Sequence, residues 1–176
     1  MVGGFSKLIM NISRALKNPG QSYPLEITLP DETIEVMGDE ITLADVRFEG
    51  VFFGAGEEIN VNGKISALAK TQCANCLIPI EKKVKAEMDA VFVKDGDGED
   101  AYPITGYEID LEPVIRENVI LELPIRFLCK DDCKGLCPTC GKNRNHELCT
   151  CPKDTGRLNP FSALNSLLSD QNNEEV

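Results

Sequence analysis

The sequence predicts an α+β fold: a mostly antiparallel β domain with a few short helices, followed by a C-terminal cysteine-rich zinc-binding module. Three observations carry this prediction. From Ile34 to Phe92 apolar residues recur with the period of two that a half-buried strand requires. Asp110 to Leu123 shows instead the spacing of an amphipathic helix. Eight cysteines stand in short paired spacings: Cys73 and Cys76, then Cys129, Cys133, Cys137, Cys140, Cys149 and Cys151 within 23 residues.

Taken in order, residues 7–12 alternate weakly and predict a short strand. Ser13 is placed to cap a turn or two of helix through Lys17, and Asn18-Pro19-Gly20 stops it. Residues 23–29 alternate as a strand, broken at Pro30-Asp31. Val46, Phe48 and, after Gly50, Phe52 mark the next strand, and Gly54-Ala55-Gly56 is turn chemistry. Ile59, Val61, Ile65 and Leu68 mark a strand over 59–70, with Gly63 read as a bulge. Residues 78–93 form its partner, with Val84, Ala86, Met88, Ala90 and Phe92 on one face. Cys73 and Cys76 then fall at the tip of the hairpin, where a metal knuckle fits. Residues 94–100 form a polar, acidic loop. It is no calcium loop, because the sixth and twelfth positions are Asp100 and Gly106 where glycine and glutamate are needed.

Asp110 caps the predicted helix, Glu112 and Pro113 lie in its first turn, and Leu111, Val114, Ile115, Val119 and Leu123 give an apolar face. Glu112, Glu117 and Glu122 share no face with a nearby base and read as a solvated side of the helix. Pro124 ends it. Asn159-Pro160 starts a short helix through Leu168 with Phe161, Leu164, Leu167 and Leu168 apolar. The expected division is therefore a β-rich domain over 1–125, a zinc module over 126–157, a helix over 158–170 and a disordered tail over 171–176.

The N-terminus has no apolar run of signal-peptide length, and no stretch approaches the length of a membrane span. A cytoplasmic location and no membrane partner are therefore expected. In that compartment thiols stay reduced, so clustered cysteines point to zinc rather than disulfides. The hydrophobic content of 42% suffices for a core, which the absence of Trp keeps modest. The net charge of −11 opposes broad, nonspecific phosphate binding. That charge is uneven: residues 126–157 hold seven basic against four acidic residues, while 1–125 hold 11 against 22. The cysteine-rich segment is the basic part of an acidic protein, although thiolates around a zinc ion would offset its excess.

Zn²⁺ takes four thiolates in a tetrahedron. A Cys-x-x-Cys turn aims two sulfurs at one point, and Cys137-Pro138-Thr139-Cys140-Gly141 is a specific form of it: proline fixes φ and the glycine tolerates positive φ. Eight cysteines make two sites of four. In one partition Cys137, Cys140, Cys149 and Cys151 close a loop of about 14 residues, leaving Cys73 and Cys76 to meet Cys129 and Cys133. The competing partition pairs the two Cys-x-x-Cys turns as a zinc ribbon and leaves Cys129, Cys133, Cys149 and Cys151 together. We favour the first. His146 is a substitute ligand should one of Cys149 and Cys151 stand aside. A thioredoxin-type role for Cys137 and Cys140 needs the motif at the start of a helix after a strand. Cysteine–histidine nucleophilic catalysis has only His146 to draw on. The sequence contains no phosphate loop or dinucleotide fingerprint, and closed zinc sites do no chemistry.

These residues together resemble the YceD-like family of bacterial and plastid proteins associated with accumulation of large-subunit ribosomal RNA. The matching marks are Cys73-Ala74-Asn75-Cys76 between two strands and the acidic helix running into Leu123-Pro124. The string from Cys129 through Cys133-Lys134-Gly135-Leu136-Cys137-Pro138, Cys140-Gly141, Asn143 and Asn145 is the most specific of them. Cys149 and Cys151, Asn159-Pro160-Phe161 with Leu164, and the opening Asn11-Ile12-Ser13 to Asn18-Pro19-Gly20 complete the set. In that family the first cysteine pair is the general mark and the distal four belong to a subset, which supports the first partition by analogy. The family has no established enzymatic activity.

The resemblance implies a non-enzymatic zinc-binding factor, with two Zn²⁺, that supports accumulation or maturation of large-subunit (23S) ribosomal RNA. Its partners would be that rRNA or a ribosomal or assembly protein, with no small-molecule substrate. Lys130, Lys134, Lys142, Arg144, Lys153 and Arg157 are the candidates for meeting RNA phosphate. A basic protein could instead be met through acidic residues 95–122. The other expectations are a zinc–thiolate redox switch, in which oxidation ejects the metal, and a zinc-stabilised scaffold that binds protein and no RNA.

Overall fold

The computed structural model describes residues 7–94 and 101–151. The chain falls into two compact units that divide between Cys133 and Lys134. Residues 126–133, expected to belong to the cysteine module, are part of the first unit.

The first unit is mostly sheet with two helices. Its elements are β1 (Ile9–Asn11), α1 (Ser13–Lys17), β2 (Ser22–Thr28), β3 (Glu32–Val36), β4 (Asp39–Ala55), β5 (Glu58–Gln72), β6 (Pro79–Lys94), β7 (Ala101–Ile104), β8 (Glu108–Asp110) and α2 (Glu112–Leu121). The main sheet runs in the order β2-β4-β5-β6-β7, and β3 pairs β4 beyond the end of β2. All of its ladders are antiparallel except β6 with β7. β1 and β8 form a separate antiparallel pair.

Alternation buries one face of the long β4-β5-β6 meander. Ile59, Val61, Ile65, Ala67 and Ala69 of β5 face inward beside Val84, Ala86, Met88, Ala90 and Phe92 of β6. Leu68, expected with the inward set, lies on the opposite, half-buried side, because Ala67 and Ala69 carry the period. Phe48 and Phe92 are the largest wholly buried side chains. Each contributes about 1.5–3 kcal/mol of transfer free energy.

Gly63 is not a bulge. It pairs in register with Gly50 on β4 and Met88 on β6. The Phe48 ring lies over this glycine pair: a Cβ on Gly63 would come within 2.5 Å of the Glu49 carbonyl oxygen and 2.6 Å of the ring. The bulge is in β4, between Ala44 and Arg47, where Asp45 takes φ 50°. It switches the inward residues from Ile41 and Leu43 to Val46 and Phe48. The connection from β2 to β3 crosses there, with the Leu29 amide on the Val46 carbonyl (2.9 Å) and the Asp45 amide on Asp31 Oδ1 (3.3 Å).

The helices close the inner face. Ser13 is the first residue of α1 rather than its cap; its amide is taken by Asn11 Oδ1 at 3.0 Å. α2 begins at Glu112, two residues later than expected, because Asp110 is still paired in β8. The Asp110 carboxylate nonetheless accepts the Glu112 amide (3.2 Å) and also the Leu8 amide (3.1 Å). Val114, Ile115 and Val119 are buried against the sheet and Leu123 packs at the edge of the core. Glu117 and Glu122 are exposed as expected, but Glu112 is half-buried, and burial raises its pKa.

In the second unit, residues 134–151 form turns, with one isolated bridge between Leu136 and Asn143. The expected helix over 158–170, the tail and most of the acidic loop lie outside the described residues.

Candidate metal centres

The β5–β6 hairpin ends in a knuckle. The Cys73 amide donates to the Ile78 carbonyl (2.8 Å) and the Leu77 amide returns to the Cys73 carbonyl (2.9 Å), with Leu77 at φ 59°. This reversal buries Cys73 and Cys76. The segment after α2 is laced across it: the Ala74 amide donates to the Phe127 carbonyl (2.8 Å), Arg126 Nη2 to Asn75 Oδ1 (2.7 Å) and Asn75 Nδ2 to the Cys133 carbonyl (3.3 Å). Cys129 and Cys133 thereby reach the hairpin tip. Cys73 Sγ lies 3.7 Å from Cys133 Sγ, and Cys76 Sγ lies 3.6 Å from Cys129 Sγ.

A second knuckle is built within residues 134–151. The Cys137 amide donates to the Lys142 carbonyl and the Gly141 amide to the Cys137 carbonyl, both at 2.8 Å, with Gly141 at φ 70°. Asn143 and Asn145 brace this knuckle. Asn143 Oδ1 accepts the Asn145 amide (3.0 Å), while Asn145 Oδ1 accepts the Lys134 amide (2.9 Å). Cys149 Sγ stands 3.3 Å from Cys137 Sγ and 3.6 Å from Cys140 Sγ.

The structure therefore gathers the thiols as Cys73, Cys76, Cys129 and Cys133, and as Cys137, Cys140, Cys149 and Cys151. Within each group all four sulfurs lie within 4.8 Å of one another, and each group can hold a metal ion. The zinc-ribbon pairing of the two Cys-x-x-Cys turns is not formed. His146 is exposed and belongs to neither group.

Each cluster sets its thiols apart electrostatically. Burial opposes ionisation of Cys73, but the amides of Cys129, Asn75 and Cys76 outweigh it and bring its pKa down to about 6. Burial and the neighbouring sulfurs of Cys133, Cys76 and Cys73 push Cys129 up to about 12. In the second cluster the amides of Cys140 and Thr139 hold Cys137 at about 6, while the sulfurs of Cys140 and Cys149 push Cys151 up to about 12. One thiolate in each cluster is thus readily formed, and the next meets its charge. A divalent cation removes that conflict by binding all four sulfurs as thiolates.

The candidate phosphate contacts are spread among these loops. Lys130 pairs with Asp132 (3.6 Å) and Lys142 with Glu147 (3.9 Å), whereas Lys134 and Arg144 are exposed. Lys153 and Arg157 lie outside the described residues. Sequence reasoning assigned no role to Asn75, Arg126, Asn143 and Asn145, which brace the knuckles. The asparagines inside and just after the Cys-x-x-Cys turns were the available signal, since this side chain bonds nearby backbone.

The family model of the large ribosomal RNA subunit accumulation protein YceD matches residues 61–168. An uncharacterized protein of Mycobacterium tuberculosis is 30% identical over 149 residues, 77% of this chain and 70% of the relative. The chloroplastic large ribosomal RNA subunit accumulation protein YCED homolog 1 of Zea mays is 38% identical over 65 residues, 36% of this chain and 22% of that one. The uncharacterized protein YlbN of Bacillus subtilis is 22% identical over 71% of this chain and 76% of its own length. No solved structure matches. No helix among the described residues is long and apolar enough to cross a membrane.

Proposed function

Because the chain belongs to the YceD family of large ribosomal RNA subunit accumulation proteins, we propose that it is a non-enzymatic factor supporting accumulation of large-subunit ribosomal RNA, with a Zn²⁺ in each cysteine cluster. The observation that carries this is the span of the family match, which takes in both clusters and all eight cysteines.

The sulfur geometry supports zinc. A tetrahedron with metal–sulfur distances of about 2.3 Å has edges of about 3.8 Å, and the separations of 3.6 and 3.7 Å in the first cluster are close to that. Four thiolates saturate the ion and leave no position for water or substrate, so the zinc is structural. Cys73, Cys76, Cys129 and Cys133 would fasten the post-helix segment to the hairpin. Cys137, Cys140, Cys149 and Cys151 would fold the basic loop carrying Lys134 and Arg144. Among the described candidates these two exposed cations are the better placed for phosphate, since Lys130 and Lys142 have acidic partners.

The test is deletion of the gene in its host, with the ratio of mature large- to small-subunit rRNA as readout. The ratio falls on deletion. It is restored by the wild-type chain and not by Cys137→Ser. An unchanged ratio would sink the proposal. Direct phosphate contact by the second unit has its own signature, a steep loss of RNA binding with salt that Lys134→Gln and Arg144→Gln make shallower.

A further inference from the structure

The first unit also carries an apolar hollow that the proposed function does not use. It lies between the β3–β4 turn and the chain leaving α2. Its lining includes Met37, Ile41, Ile120, Ile125 and Phe127, and Asp39 is the single charged residue in it. Two of the lining side chains face solvent almost completely: Met37 is 86% and Ile125 85% exposed. Large apolar residues gathered at one exposed spot mark interaction sites more often than singly scattered ones do.

Met37 is also in an unfavourable backbone position. Met37 and Gly38 form the two-residue turn of the hairpin, with φ of 54° and 89°. A turn with both central residues at positive φ favours Asn or Gly at its first position. Methionine there costs backbone strain and gains no burial in return. A residue that serves neither the turn nor the core is better explained by what it touches outside the chain.

The hollow, about 120 Å³, is far smaller than the roughly 300–1,000 Å³ of a cofactor or substrate pocket. It suits one apolar side chain. The charges around it choose the occupant: Asp39 lines it and Glu122 flanks it in sequence, both exposed. Arg126, the nearest cation in sequence, is drawn away to Asn75 at 2.7 Å. We propose that this hollow is the anchor of an interface with a partner protein presenting a basic amphipathic segment. One apolar side chain of that segment seats between Met37 and Ile125, and its lysines or arginines face Asp39 and Glu122. The proposal stands on the hollow and does not rest on a role in rRNA accumulation.

The test uses the full chain and a fluorescent synthetic amphipathic peptide of leucine and lysine, titrated by anisotropy. Its counterpart with glutamate in place of lysine is run alongside. The Leu/Lys peptide binds saturably, and Ile125→Gln and Met37→Asn each raise its Kd about tenfold, equivalent to about 1.4 kcal/mol. Neither substitution alters net charge. Met37→Asn also raises the melting temperature, since Asn-Gly suits the turn, so its lost binding is no folding defect. Asp39→Asn weakens binding less and flattens its salt dependence. Wild-type affinity in both apolar variants would overturn the proposal by showing general attraction to an acidic protein. Equal affinity for the Leu/Glu peptide would overturn the role of the rim. A dimer in sedimentation that Ile125→Gln dissociates would assign the hollow to a second copy of the chain and overturn it as well.

Discussion

The two cysteine clusters present the same four thiols in unlike settings. In the first, the paired sulfurs come from residues 53 and 60 positions apart, and Cys73 and Cys76 are buried at the end of a core-bearing hairpin. In the second, they come from residues 9 and 12 positions apart, and Cys140 is exposed. The first unit has an apolar core of its own. Of residues 134–151 only Gly135 and Cys137 are buried. A metal in the first cluster would fasten a segment to a structure that already exists, whereas one in the second would be the reason its loop has a structure at all.

Chelation under reducing conditions tests that contrast most strongly. A structural zinc supplies about 10–16 kcal/mol to a small domain with no other core. Amide resonances of 134–151 should collapse to unfolded positions while those of β4, β5 and β6 stay dispersed. Equal loss in both regions would refute the contrast.

Single cysteine variants divide the two roles. Cys137→Ser and Cys73→Ser should each lower bound zinc from two to one, read by elemental analysis. Cys137→Ser should leave the melting of the sheet unchanged. Cys73→Ser should lower it, because a buried hydroxyl without its partner costs about 1–3 kcal/mol beyond the lost metal.

The grouping of the cysteines was legible because loop closure favours the short distal loop, which leaves the other four to each other. The inward faces of β5 and β6 were legible because an uninterrupted strand alternates. The β4 bulge was not, since local periodicity does not show where one strand gains a residue over its partner. Nor was the β1–β8 pair, which joins segments at opposite ends of the first unit's sequence, nor the parallel β6–β7 pairing, since periodicity does not show the direction in which neighbouring strands run. Gly63 was recognised as unusual but misread: a glycine beneath a neighbouring ring and a glycine in a bulge look the same until Phe48 is placed. The hollow at Met37 was missed, though methionine before glycine in a hairpin turn was a visible anomaly.

That glycine gives a perturbation that leaves all eight cysteines intact. Gly63→Ala places a Cβ against the Glu49 carbonyl and the Phe48 ring. Overpacking of this kind costs about 1–3 kcal/mol. The sheet should melt earlier, while the zinc of the second cluster, which depends on no part of that core, is retained at the same chelator concentration.

The smallest effect is a pH slope in metal-free, reduced protein. Cys73 has an ordinary value of 9.0 and a folded value of about 6. Between these the unfolded chain holds a proton that the folded chain has released, so stability rises with pH. The contribution is fully present above 9.0 and is lost as pH falls through about 6. Cys129, pushed up to about 12, opposes it only above the ordinary value. Melting of the sheet should therefore move upward from pH 6 to pH 8, and Cys73→Ser should flatten the rise. Cys137 has the same lowered value, yet Cys137→Ser should leave the slope intact, because without metal its loop has no folded state in which the shift can act. A slope that depends on Cys137 would mean that the second unit holds its shape unaided, and the difference between the two clusters would then be one of degree.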